Sequence, residues 1–61
     1  MKPVCKLSGT DGNVFALAGR VRRALIQAKQ TDMAKEFVEK LPKCKSYDEA
    51  LGLMTEYVTV V

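Results

Sequence analysis

Apolar and polar positions along the chain change their period twice. From Lys2 to Leu7 they alternate, with Cys5 and Leu7 to one side and Val4 and Lys6 to the other, the pattern of a short half-buried strand. Pro3 near its start suits an edge or a strand beginning. Ser8 to Asn13 follow, six small or polar residues that stop a strand and offer N-cap oxygens. The period then becomes 3.6: Val14, Leu17, Ala18, Val21, Ala24, Leu25 and Ala28 share one face of a helix that should run from about Gly12 to Lys29. A second helix is signalled by Thr31 as N-cap, Asp32 in the first turn and apolar Met33, Ala34, Phe37, Val38 and Leu41, and Pro42 ends it. The third opens on a capping box, Ser46 with Glu49, and buries Ala50, Leu51, Met54, Tyr57 and Val58. Tyr57 to Val61 is rich in β-branched residues and reads as a strand. The fold class is therefore α+β, one domain over residues 1–61, in the order strand, three helices, strand.

Strands at both chain ends pose a problem, because a lone two-stranded ribbon is marginal and its edges invite pairing. Either the two ends pair under the helices, or they also pair with those of a second copy to give a four-stranded sheet across a two-fold axis. Helix one bears on the choice. Phe15 and Ile26 lie off its core face, on a stripe with Gly19, Arg22 and Arg23. Helix two or three could wrap round to cover them, or another subunit could. Gly19 costs about 1 kcal/mol inside a helix and is more easily understood if a neighbouring backbone approaches it.

Length sharpens the question of a partner. A 61-residue chain of 6.7 kDa is too short for a cleft between two lobes. By area scaling it should expose roughly 3,900 Å². Burial then contributes on the order of 90 kcal/mol against an ordering cost also near 90, so a homodimer is the expected source of extra stability. With 48% hydrophobic and 28% charged residues the composition is that of a folded domain, and no stretch is long enough to cross a bilayer. No signal-peptide pattern opens the sequence, so a cytoplasmic setting is expected and Cys5 and Cys44 should be reduced and buried rather than bridged. Two Cys and no His do not close a zinc site, and no metal or cofactor is expected. The missing His also removes the commonest general base, and no Ser, Cys or carboxylate has a visible base beside it, which makes an enzyme the least favoured class.

What remains is binding. Ser8, Gly9, Thr10, Gly12 and Asn13 lead from a strand into a helix start, where free N–H groups and the helix dipole favour an anion, with Arg20 and Arg23 following on the helix. Neither the P-loop nor the dinucleotide spacing is present, and a tight turn with a self-capping helix accounts for the same residues. A net charge of +3 and two basic clusters, Arg20 to Lys29 and Lys40 to Lys45, are a modest bias, sparser than the basic stripes of nucleic-acid proteins. Only four aromatics are present, and three of them suit the core. For a dimer seam the candidates are Phe15, Gly19, Arg22, Ile26, Tyr57, Val58 and Val60.

The run from Leu7 to Phe15, with Gly19-Arg20-Val21, Ala34, Glu36-Phe37, Ser46-Tyr47-Asp48 and Tyr57-Val58, resembles a group of very short uncharacterised proteins of bacterial genomes, prophages and phages. The resemblance implies a free-standing protein of this length and a phage setting. Two functions are then expected. One is a non-enzymatic homodimeric binding protein that sequesters an anionic, nucleotide-derived ligand at its seam, as a phage would need to evade host defence. The other is an interaction module or inhibitor docking a host protein or nucleic acid through the basic and apolar face of helix one.

Overall fold

The computed structural model describes residues 1–7 and 12–61. Six elements follow one another: strand β1 (Val4–Cys5), helices α1 (Val14–Gln27) and α2 (Thr31–Lys40), a 3₁₀ turn (Leu41–Lys43), helix α3 (Tyr47–Tyr57) and strand β2 (Thr59–Val60). The two chain ends pair with each other. β1 and β2 lie parallel, Val4 opposite Thr59 and Cys5 opposite Val60, so the three helices together form the crossover that a parallel pair requires.

Capping chemistry explains the helix limits. Asn13 starts α1, its side chain accepting from the Phe15 N–H at 2.8 Å. The helix stops with a double cap: Lys29 N–H donates to the Ile26 carbonyl and Gln30 N–H to that of Leu25, while Lys29 takes a left-handed φ of 63°. The expected extent to Lys29 is therefore two residues too long. Thr31 is not the N-cap of α2; Gln30 holds that position without a side-chain bond, because the tight link leaves no residue free for it. At α3 the Ser46 hydroxyl accepts from Glu49 N–H at 3.1 Å, as the capping box predicts. The Glu49 carboxylate reaches one residue further back than expected, to Lys45 N–H at 3.0 Å.

The core gathers Leu17, Ala18, Val21 and Leu25 of α1, Ala34 and Phe37 of α2, and Met54 and Tyr57 of α3, with Val58 and Cys5 beside the strands. Phe37, Leu25, Met54 and Val21 are fully enclosed. Tyr57 decides the end of α3. The pattern places it both on the buried face of helix three and at the opening of the last strand, and the helix wins: its ring meets Phe37 edge-on at 5.6 Å and its hydroxyl donates to the Glu36 carboxylate at 2.6 Å, which holds it as the last helical residue. Met33 and Val38, expected on the buried face of α2, stay about 40% exposed because Ala34 and Phe37 form a narrower stripe. Tyr47 is also exposed, so two aromatics and not three enter the core. Both cysteines are free, Cys5 buried and Cys44 half-buried. No helix of the described residues is long and apolar enough to cross a membrane.

Candidate binding groove

The helical face left over once the core is formed is the face that offers a site. Phe15 is 78% exposed and Ile26 38% exposed, so neither α2 nor α3 wraps round to cover them. Together with Gly19, Arg20, Arg22 and Arg23 they form the α1 wall of an open groove of about 710 Å³. Its other wall is β1 and the residue that follows it, through Val4, Cys5 and Lys6. No residue of β2 lines it.

Charge in this groove is one-sided. Lys6, Arg20, Arg22 and Arg23 line it, and no carboxylate does among the described residues. Between α2 and α3 one cation is matched: Lys40 lies 5.8 Å from the centre of the Tyr57 ring, and the Tyr57 hydroxyl is bonded to Glu36. There Lys40 is raised above its ordinary range by its bond to Tyr57 and by the Glu36 charge, and Tyr57 is raised by burial and by its bond to Glu36. Glu36 and Lys40 thus tie α2 to α3 through Tyr57.

Cys5 forms part of the groove wall, but burial pushes its thiol up, with the nearby Arg20 charge pulling only partly the other way. At neutral pH it is a thiol and not a thiolate nucleophile. No group of three or more metal-ligating side chains occurs among the described residues.

The expected site residues thus divide. Arg20 and Arg23 from the anion set and Phe15, Gly19, Arg22 and Ile26 from the seam set meet in one groove. Gly12 and Asn13 sit at the start of α1 and do not line it, and the Asn13 side chain is engaged as the cap. Ser8, Gly9 and Thr10 lie outside the described residues. Tyr57 and Val58, from the seam set, are buried in the chain's own core, 4% and 1% exposed. Val60 is exposed on β2, away from the groove. Open space lies over Gly19, with no atom within 4 Å of where its Cβ would stand, so nothing inside this chain demands a glycine there.

Sequence reasoning missed the β1 wall. Val4 and Lys6 were read as the outer side of a strand, and nothing in their local pattern announces that α1 runs past them. It also missed an apolar hollow of about 400 Å³ on the other flank of Phe15, walled by Leu41, Pro42, Tyr47 and Ala50. Compared with protein-family models, with curated proteins and with solved structures, the chain matches none.

Proposed function

We propose that this chain is a non-enzymatic binding protein that works as an interaction module, docking an anionic partner in the groove between β1 and α1. The observation that carries the reading is the unbalanced charge there: four cations and three exposed apolar side chains, Val4, Phe15 and Ile26, line the groove with no carboxylate among the described residues. Cations gathered without counter-charge repel one another, and an anionic partner relieves that repulsion. The open shape and the exposure of Phe15 favour a macromolecular partner over an enclosed small molecule. The free thiols are in keeping with a cytosolic setting.

A second reading keeps the small anionic ligand, a nucleotide-derived messenger held between two copies by a phage protein. Arg20 and Arg23 on one wall support it, since two guanidinium forks suit a phosphate. Isothermal titration with nucleotides and cyclic nucleotides, alongside capture of acidic partners on the immobilised protein, separates the two. Retention of partners that is lost in the Arg20→Ala, Arg23→Ala double variant supports the interaction module. Tight nucleotide binding, with a sedimentation mass of twice 6.7 kDa, would replace it with the messenger-binding dimer.

A further inference from the structure

The β1 edge says what kind of anionic partner the groove fits. In the parallel ladder Thr59 N–H donates to the Pro3 carbonyl at 2.8 Å, Val61 N–H to that of Cys5 at 3.1 Å, and Leu7 N–H to the Val61 carbonyl at 3.1 Å. All the β1 groups used are on odd-numbered residues. In a pleated strand the intervening residues aim their backbone groups at the opposite edge, so the N–H and C=O of Val4 and Lys6 point away from β2. Val4 and Lys6 are also the residues that, with Cys5, wall the groove. The segment that presents this edge is held at both sides: Lys2 Nζ donates to the Thr55 carbonyl at 2.9 Å, and Gln30 Nε2 to that of Met1 at 2.9 Å.

An open strand edge beside a helix, with cations along the helix, is complementary to one chemistry in particular. Two donors alternate with two acceptors over about 7 Å of edge. A phosphate, which carries acceptors only, would meet two carbonyls. A second peptide strand satisfies all four groups. A second copy of this chain is a poor candidate for that strand, because it would bring its own Lys6, Arg20, Arg22 and Arg23 against the same four cations. An acidic strand would set its carboxylates against them, and the open space over Gly19 leaves room for its side chains on the α1 wall. We infer that the groove binds an extended acidic peptide segment by strand addition to the free edge of β1, its carboxylates paired with Arg20, Arg22 and Arg23. The inference rests on the interaction-module reading and names its partner class and binding mode.

The test uses the whole chain and a fluorescent short peptide of alternating Glu and Val, with an analogue N-methylated at every second residue. Methylation removes strand hydrogen bonds from one edge and leaves the charge intact. Anisotropy titration should show saturable binding that weakens with salt, with the methylated analogue about tenfold weaker. Amide exchange at Val4 and Lys6 should slow about tenfold in the complex. Equal affinity of the two peptides, or unchanged exchange at Val4 and Lys6, overturns strand addition; the groove reading survives that result if Arg20→Ala with Arg23→Ala still weakens both peptides. Absence of binding by either peptide overturns the inference, and if pyrophosphate also leaves the Arg20 and Arg23 resonances unmoved, the groove reading falls with it. A dimer mass with Val4 and Lys6 already protected before peptide is added gives the edge to a second copy, and likewise overturns the inference.

Discussion

Two faces of this small molecule each combine an aromatic ring with basic side chains, and they come out oppositely. On the α2–α3 side, Tyr57 is buried, packs edge-on against Phe37, bonds Glu36 and lies near Lys40, so that ring, cation and carboxylate satisfy one another. On the β1–α1 side, Phe15 stands in solvent among Arg20, Arg22 and Arg23, and no carboxylate lines the groove among the described residues. The difference lies in what the neighbouring element supplies. α2 brings Glu36 within reach of Tyr57, whereas the segment after β1 brings Lys6 into the groove of the arginines. A balanced cluster adds to stability, and an unbalanced one is available for a partner.

The largest test of this contrast sets one phenylalanine against the other. Phe37→Ala opens a cavity in a fully enclosed site and should cost about 3–5 kcal/mol, enough to leave so small a domain largely unfolded in urea titration at 25 °C. Phe15→Ala should stay within about 0.5 kcal/mol of the parent, because its ring is already in water. A comparable loss from Phe15→Ala would show that the groove face belongs to the fold.

Next comes the charge. Replacing Arg20 and Arg23 together by Ala should weaken anionic partners about tenfold, roughly 1.4 kcal/mol, with the unfolding midpoint unchanged. A shift of that midpoint comparable to the binding loss would mean the arginines are structural.

Tyr57→Phe tests the balanced side, where loss of the bond to Glu36 should cost about 1 kcal/mol in denaturant titration. It should also alter the alkaline response. Tyr57 and Lys40 both hold their protons more firmly in the folded chain. Their contribution is complete below the ordinary tyrosine and lysine values, near 10, and is lost as pH rises through the higher folded values. Thermal midpoints should therefore fall from about pH 10 upward, and less steeply in Tyr57→Phe.

The smallest effect belongs to Lys29. A lysine at φ 63° closes the double cap after α1, a position that glycine takes without strain. Lys29→Gly should raise stability by about 0.5–1 kcal/mol without touching partner binding.

The order of elements was legible in the chain because each is announced locally: alternation at Lys2 to Leu7, a 3.6 period from Val14, the Ser46–Glu49 box before α3. The positions of Phe15 and Ile26 off the core face followed from the same helical geometry, and both are exposed. Local rules fell short where a distant residue intervened. Tyr57 fits both helix three and the last strand by local pattern, and Phe37 and Glu36, some twenty positions earlier, decide for the helix. Thr31 looked like a cap until the link closed one residue earlier, at Gln30.

By itself, then, the sequence determined the inward stripe of α1 and the start of α3, since side-chain periodicity and capping act over a few residues. It also supplied the excess of cations over carboxylates. Only the tertiary structure decided that β1 pairs parallel with β2 and leaves its other edge open beside α1. That decision brings Val4 and Lys6 to Phe15, Arg20 and Arg23 across a break in the local pattern, and it depends on how three helices pack over one core. A short-range pattern carries no record of such a meeting, because the physical cause is the burial of residues elsewhere in the chain.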